Sequence, residues 1–128
     1  MKHPTIQSLM IAPHQYPEPM SLSNDLDSLQ KAVSIGAPEQ GLIEFVYLED
    51  NVSILCNEQG KPIGLEPNRR LCKDILCGVF YIVAEDEEGN LVSLTPAQMD
   101  KYSAMFWHPD VIEESEVADT VIMKFFPL

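Results

Sequence analysis

Side chains that form directional hydrogen bonds are concentrated between residues 57 and 74. They are Asn57, Glu58, Asn68, Arg69, Arg70, Lys73 and Asp74. A guanidinium group binds a carboxylate or a phosphate through two parallel hydrogen bonds, a geometry that a lysine ammonium cannot reproduce. The stretch therefore indicates a candidate ligand or partner site, with Arg69 or Arg70 holding an anionic group. Its members are Asn57, Glu58, Asn68, Arg69, Arg70 and Asp74.

A structural use of the same residues is the favoured interpretation. In that arrangement Arg69 or Arg70 pairs with Glu58 or Asp74 inside the chain, and the two asparagines cap turns. The residue types fit both uses, so the candidate site depends on whether the arginines face a cleft or internal partners.

The cysteines and histidines form no recognisable catalytic or metal motif. Cys56, Cys72, Cys77 and a histidine could supply four zinc ligands, but the gap from Cys72 to Cys77 is one residue too long for a closely spaced pair. Cys56 and Cys77 are better interpreted as small core residues. A thiol and His108 could form a nucleophile and base, yet nothing in the sequence brings them together. We expect no catalytic residue, no metal and no cofactor.

The charge balance restricts the possible partners. The chain has 20 acidic and 8 basic residues and a formal net charge of −12. Such a surface repels nucleic-acid phosphates, so direct binding of DNA or RNA is not expected. The electrostatic complement is another protein with a basic face, because opposite potentials accelerate encounter. The alternative is that the acidity only keeps the protein in solution.

The same composition predicts a cytoplasmic protein. The odd number of cysteines indicates free thiols in a reducing compartment, and residues 1–13 lack the pattern of a signal peptide. The longest apolar run is Ile75 to Ala84, whereas a membrane-spanning helix needs roughly 20 residues. We interpret this run as a buried strand and expect no membrane partner.

Strands are predicted from apolar and β-branched runs. Thr5 to Ala12 is a first strand, and Pro13 to Pro19 is predicted to be loop because its prolines cannot donate hydrogen bonds to a sheet. Residues 63–71 show no sustained period and are predicted to be a loop or one helical turn. Two further pairs of runs predict two hairpins: Leu42 to Leu48 with Val52 to Cys56, and Val79 to Ala84 with Leu91 to Leu94.

Two helix starts are visible. Asn24 is predicted to cap a short helix whose buried face contains Leu26, Leu29 and Val33. The stronger signal is a capping box in which Thr95 is the cap, Pro96 is the first helical residue and Gln98 is the return partner. Helical spacing then places one face of this second helix on the sheet, through Met99, Tyr102 and Phe106.

These elements predict an α+β fold, a small and mostly antiparallel sheet with two hairpins packed against one or two helices. We expect residues 1–109 to form a single domain and residues 110–128 to form an acidic C-terminal extension with an apolar end. The acidic segment could be an exposed helix or a mobile arm. The apolar end could return to the sheet as a strand or dock on a partner chain.

The order of these elements resembles an uncharacterised bacterial and phage family, a domain of unknown function common on mobile genetic elements. The resemblance covers about residues 22–106. The matching residues are Asn57-Glu58, Gly60-Lys61, Gly64, Pro67-Asn68-Arg69, Asp74-Ile75, Gly78, Phe80, Ser93-Leu94-Thr95, Gln98, Tyr102 and Phe106. The family implies a setting, an accessory gene of a mobile element in the bacterial cytoplasm, and it supplies no catalytic residues.

Charge and setting together favour a non-enzymatic accessory protein that binds another protein through its acidic surface. Counter-defence, with the acidic surface as a DNA-like decoy, is one use that such a protein would have. The alternative hypothesis is a small-molecule or nucleotide-binding module that uses the loop from Asn57 to Asp74.

Overall fold

The fold is built on an antiparallel six-stranded sheet that carries helices on both faces. The structure is a computed structural model that describes the backbone of residues 4–125 and the side chains of residues 4–120. The main sheet has the order β2-β1-β7-β4-β3, with β8 paired to β7, and a separate two-stranded sheet contains β5 and β6. The strands of the two sheets together are β1 (Thr5–Ile11), β2 (Glu18–Ser23), β3 (Ile43–Glu49), β4 (Val52–Asn57), β5 (Pro67–Leu71), β6 (Asp74–Cys77), β7 (Phe80–Glu85) and β8 (Leu91–Val92). The helices are α1 (Leu26–Ala32), α2 (Pro96–Met105) and α3 (Glu114–Phe125).

The predicted α+β class and both predicted hairpins are confirmed. In the β3–β4 hairpin Asn51 has a positive φ of 64°. The side chain of asparagine tolerates this left-handed conformation, which explains how the polar connection closes the turn. The β7–β8 hairpin pairs Ala84 with Val92 and Glu85 with Leu91 across the acidic tip.

Two local predictions near the N-terminus were wrong. Pro13 to Pro19 is not all loop, because β2 begins at Glu18 and Pro19 pairs with Leu9. Proline is accepted there because β2 is an edge strand, and an edge position can lack an N–H donor. The cap of α1 is Asp25 rather than Asn24, since the Asp25 carboxylate accepts the Ser28 N–H at 2.8 Å.

The buried face of α1 is also narrower than predicted. Leu29 and Val33 are buried, but Leu26 is 60% exposed. Within this seven-residue helix, the buried face therefore begins at Leu29 rather than in the first turn.

The β5–β6 hairpin corrects the prediction that residues 63–71 form a loop or one helical turn. The apolar run from Ile75 to Ala84 is divided between β6 and β7 at Gly78, which has a φ of +84°. The positive φ favours glycine at this position, and a Cβ there would lie 2.7 Å from the end of the Leu65 side chain, which would have to move. The turn at Gly78 lets one apolar run serve two sheets.

Each face of the main sheet has its own core. The face under α2 buries residues of β1, β4 and β7 with Tyr102 and Phe106 of the helix. The opposite face packs Leu29 and Val33 of α1 against Leu55 and Tyr81. The predicted capping box of α2 is present, with Thr95 Oγ1 accepting the Gln98 N–H at 3.1 Å and Gln98 Oε1 accepting the Thr95 N–H at 2.8 Å.

The C-terminal segment is helical. Of the two alternatives for residues 110–119, a helix is the one found from Glu114 onward, with Glu116 and Val117 half-buried. Because α3 continues to Phe125, the alternative in which the apolar end returns to the sheet as a strand is wrong. The side chains of residues 121–128 lie outside the described part, so docking of the apolar end on a partner stays a prediction. Ile112 and Val117 pack beside Leu65 and Ile75 at the small sheet. Within residues 4–125 no helix is long and apolar enough to span a membrane.

Candidate functional site

Arg69 and Asn68, predicted as possible ligand-binding residues, are both buried. Asn68 Nδ2 donates to the carbonyl oxygens of Ile11 and Gly78, each at 2.8 Å. Its Oδ1 accepts a hydrogen bond from Arg69 at 2.8 Å. This amide therefore joins β5 to the main sheet and orients the guanidinium beside it.

The Arg69 guanidinium is bonded inside the chain, with 1% of the residue exposed. Its Nε donates to Phe106 O at 3.2 Å, and its Nη2 donates to Gln15 O at 2.6 Å. Phe106 is the C-cap of α2, where the helix dipole favours a cation. Burial lowers the pKa of Arg69, while the charge of Asp110 acts in the opposite direction. Arginine remains charged in proteins, so Arg69 acts as a buried cation solvated by carbonyl dipoles.

Arg70 lies outside the core and binds the segment after α2. Its Nε and Nη2 donate to the two carboxylate oxygens of Glu116 at 2.5 and 2.8 Å. Its backbone N–H donates to Asp110 at 2.8 Å, and its Nη2 also reaches Val111 O at 3.0 Å. The hydrogen bond with Glu116 raises the pKa of Arg70 and lowers that of Glu116. Both arginines are thus engaged within the chain, although with carboxylates and carbonyls other than those predicted.

The other three predicted residues lie at a cleft of about 410 Å³ between β3–β4 and the β5–β6 hairpin. Asn57 is buried, and its Oδ1 accepts the Gln59 N–H at 2.8 Å, which shapes the turn after β4. Glu58 is exposed at the rim. Asp74 pairs with Lys61, and its Oδ1 also accepts the Ile75 N–H at 2.8 Å.

The lining of this cleft is apolar at its floor and mainly acidic at its rim. Its charged groups are Glu44, Glu58, Lys61 and Asp74, and its apolar residues are Val46, Cys56, Pro62, Leu71, Ile75, Leu76 and Cys77. Lys61 is held by Asp74 and by Thr120 Oγ1 at 2.9 Å. Neither predicted arginine lines the cleft, so an anionic ligand would meet a rim of three carboxylates and a single lysine that is already paired.

The thiols of the cleft are poor nucleophiles. Cys56 and Cys77 are buried, and all three cysteines are free. Burial, with the nearby Glu44 carboxylate, raises the pKa of Cys56 to about 12, and burial also raises that of Cys77. Because the thiolate is the reactive form, both thiols are unreactive near neutral pH. No cluster of three metal-ligating side chains occurs among the residues that the structure describes.

A smaller cleft of about 340 Å³ lies on the other side of the β5–β6 hairpin. Its lining includes Cys72, which is exposed, and His108, together with Arg70 and Asp110. Cys72 and His108, a thiol and the imidazole that the sequence offered as nucleophile and base, therefore line the same cleft. No hydrogen bond joins them among the described residues.

The tips of the two predicted hairpins lie side by side at one end of the main sheet. Val52 pairs with Ala84, and the Glu85 N–H donates to Asn51 O at 2.9 Å. This contact gathers six carboxylates into what we call the acidic end: Glu49, Asp50, Glu85, Asp86, Glu87 and Glu88. Sequence reasoning found both tips but not their adjacency, because no local signal states that β4 pairs with β7.

The acidic end has little internal neutralisation. Among the ion pairs of the described residues, only Lys101 with Glu49, at 2.6 Å, involves it. Asp86 is also used within the tip, where its Oδ1 accepts the N–H groups of Glu88 and Asn90, each at 2.9 Å. These hydrogen bonds lower the pKa of Asp86, that with Asn90 most, so the charge persists and the loop is held in one shape.

A family model described as Domain of unknown function (DUF3846) matches residues 6–107. The match begins in β1, earlier than the resemblance seen in the sequence, and ends just beyond the C-cap of α2. No curated protein and no solved structure matches the chain. The matched region contains the cleft, the acidic end and both arginines, whereas α3 and its contacts with Arg70 lie outside it.

Proposed function

We propose that the chain, which belongs to the DUF3846 family of domains of unknown function, is a non-enzymatic accessory protein that binds another protein through its acidic surface. The partner is a protein with a basic face. The observation that carries this proposal is the acidic end, where two hairpin tips place six carboxylates together beside one lysine. A dense group of like charges costs stability through repulsion, and a complementary partner removes that cost.

The proposal includes a setting and a use. The setting is an accessory gene of a bacterial or phage mobile element, expressed in the cytoplasm. The use is counter-defence, because a nuclease or restriction subunit that binds DNA has a basic groove, and a rigid array of carboxylates can occupy such a groove in place of phosphates. The hydrogen bonds of Asp86 support rigidity at this array, which reduces the ordering cost of binding.

The test compares two variants with the same change in net charge. One removes three carboxylates of the acidic end: Glu85→Gln, Glu87→Gln and Glu88→Gln. The control removes three scattered carboxylates: Glu18→Gln, Glu39→Gln and Glu113→Gln. The probe is a lysine-rich peptide of about ten residues, and its dissociation constant is measured over a series of salt concentrations.

We expect binding to weaken with ionic strength, and to weaken more in the acidic-end variant than in the scattered variant. The reason is that clustered charges act together within about 10 Å, the screening length at 0.1 M salt, whereas scattered charges act singly. Equal binding by the two variants would show that only net charge matters. Affinity that does not fall with salt would remove the electrostatic mechanism altogether.

A second candidate function is supported by the cleft of about 410 Å³ beside the loop from Asn57 to Asp74. Ligand pockets commonly have volumes of about 300–1,000 Å³, an apolar lining and a few polar groups. Since its rim contains Glu44, Glu58 and Asp74 and since Arg69 and Arg70 are engaged elsewhere, a small amine fits this site better than a nucleotide.

Thermal-shift screening separates the two ligand classes. A ligand that prefers the folded state must raise the melting temperature. We expect aliphatic amines to raise it and nucleotides to leave it unchanged, with Glu44→Gln reducing the response to amines. If neither class changes the melting temperature at concentrations far above a plausible dissociation constant, this candidate is excluded.

A further inference from the structure

The free edge of β3 exposes backbone groups that have no partner in the described part of the chain. β3 is the last strand of the main sheet and pairs only with β4. The Glu58 N–H donates to Leu42 O at 3.0 Å, and Glu44 lies opposite Cys56. Because antiparallel pairs alternate along a strand, the peptide groups of Glu44 point to β4 and those of its neighbours point away. The outward groups belong to Ile43, Phe45 and Tyr47.

The side chains along this edge differ between the two faces of the sheet. Phe45 is 48% exposed and Tyr47 is 68% exposed, on the face that α1 only partly covers. Glu44 is exposed on the opposite face, and Glu49 and Asp50 follow at the end of the strand. A strand added here would therefore meet aromatic groups on one face and carboxylates on the other face and at the end.

The opposite edge of the sheet is guarded in a different way. β2 contains Pro19 and follows Pro17, and proline blocks strand addition because it has no N–H to donate. β3 contains no proline. Acidic side chains and the β-bulge near Tyr47 and Glu49 are the features that oppose edge-to-edge pairing there. Acidic guards repel a second copy of the same edge, because like charges would face each other, but they attract a basic strand.

We propose that β3 receives an extended segment of the partner protein as an added strand, and that this segment alternates basic and apolar residues. The inference rests on the proposed function and names the form in which the basic partner is bound. Main-chain hydrogen bonds to the outward peptide groups of Ile43, Phe45 and Tyr47 align the added segment with β3. Phe45 and the ring of Tyr47 contact the apolar residues, and Glu44 pairs with a basic one. Glu49, which already binds Lys101, and Asp50, which accepts the Tyr47 hydroxyl at 2.9 Å, add negative potential at the end of the strand.

The test uses two peptides with the same charge. The first alternates lysine and valine over about ten residues, the upper length of an ordinary strand. The second has the same sequence with alternate backbone nitrogens methylated, so that it cannot form the ladder. Binding is measured at low salt, with amide hydrogen exchange of the protein followed residue by residue.

We expect the unmodified peptide to slow exchange at Ile43, Phe45 and Tyr47 and to leave Glu44 and Val46 unchanged, because the latter two already bond to β4. The methylated peptide should bind about tenfold more weakly, since it loses two or three main-chain hydrogen bonds of roughly 0.5 kcal/mol or more each, and about 1.4 kcal/mol is tenfold. Such an alternating pattern is not produced by a purely electrostatic contact.

Three results would overturn strand addition. If both peptides bind equally and the edge amides do not change, the contact is electrostatic only, and the proposed function stands without this inference. If neither peptide binds at low salt, the proposed function fails as well. If the same amides become protected without peptide as protein concentration rises, the occupant is a second copy of the chain.

A pair of variants provides the matched control. Phe45→Ser removes the aromatic ring and keeps the outward N–H, whereas Phe45→Pro removes both. We expect the proline variant to bind the unmodified peptide more weakly than the serine variant, with no difference between them for the methylated peptide. If proline prevents folding, which circular dichroism detects, the comparison of the two peptides on the unaltered chain still decides.

Discussion

Replacing Arg69 with alanine tests whether this cation is a structural brace or a free ligand-binding group. The guanidinium makes four hydrogen bonds, to Phe106 O, Gln15 O, Asn68 O and Asn68 Oδ1. It therefore connects β5 to the C-terminal end of α2 and to the loop after β1. Removing it takes this donor away from the buried Phe106 and Asn68 oxygens and from Gln15 O, which belongs to an exposed residue, and opens a cavity in the interior.

The size of the effect follows from these contacts. A buried acceptor that loses its donor costs about 1–3 kcal/mol. Three buried acceptors, Phe106 O, Asn68 O and Asn68 Oδ1, lose this donor. Water that enters the cavity offsets part of the cost, and the guanidinium no longer has to be desolvated, so we expect a net loss of about 3–5 kcal/mol. This is a large part of the roughly 5–15 kcal/mol that stabilises an ordinary domain.

Urea unfolding measures the loss, and Arg70→Ala is the control. With a slope of about 2 kcal/mol per molar urea, the Arg69→Ala midpoint should fall by roughly 2 M. Arg70→Ala should shift the midpoint only slightly, because exposed ion pairs contribute little. Arg69→Lys should lose more than half as much as alanine, since an ammonium cannot reach carbonyls in several directions. If Arg69→Ala costs no more than Arg70→Ala, the brace is refuted and Arg69 is again available to a ligand.

The remaining predictions concern two buried tyrosines and the alkaline limit. The Tyr102 hydroxyl is buried without a partner among the described residues, so Tyr102→Phe should leave the free energy of unfolding unchanged or raise it by about 1 kcal/mol. Tyr81→Phe should lower it by about 1 kcal/mol, because the Tyr81 hydroxyl donates to Ala32 O at 3.0 Å; equal losses in urea unfolding would contradict the assignment. Burial raises the pKa values of Cys56 and Tyr81 to about 12. Both groups therefore stay protonated to a higher pH in the folded state than in the unfolded state. The stability that they contribute is complete below their unfolded pKa values and should be lost as the pH rises from about 9 to 12. Unfolding followed by fluorescence across this range measures the loss, and a flat profile would show that folding does not raise these pKa values.

Local signals were reliable where a few adjacent residues decide the structure. The Thr95-Pro96-Gln98 start of α2 was predicted correctly because a capping box needs only four neighbouring residues. Both hairpins of the main sheet were predicted correctly because alternating apolar residues and polar turns are local features. The same reasoning failed for β5, where apolar periodicity is absent because its buried side chains are Asn68 and Arg69.

The candidate site shows the same division. The sequence marked residues 57–74 as rich in hydrogen-bonding groups, and the structure places a cleft against Asn57, Glu58 and Asp74. The sequence could not identify the partners of the two arginines, because those partners lie far along the chain. Arg69 donates hydrogen bonds to residues 54 and 37 positions away, and Arg70 donates to Glu116, 46 positions away. The division of the chain at residue 109 and the setting on a mobile element remain predictions.

Composition and local pattern by themselves determined the charge, the α+β class and the free thiols expected of a reducing compartment, because these depend on residue types and on neighbours within one turn. Only the tertiary structure decided which charges are neutralised. The pairing of β4 with β7 brings Glu49 and Asp50 beside the tip that begins at Glu85. The packing of β5 against the rest of the fold buries Arg69. Such contacts depend on how the whole sheet packs, so they cannot be predicted from neighbouring residues along the chain.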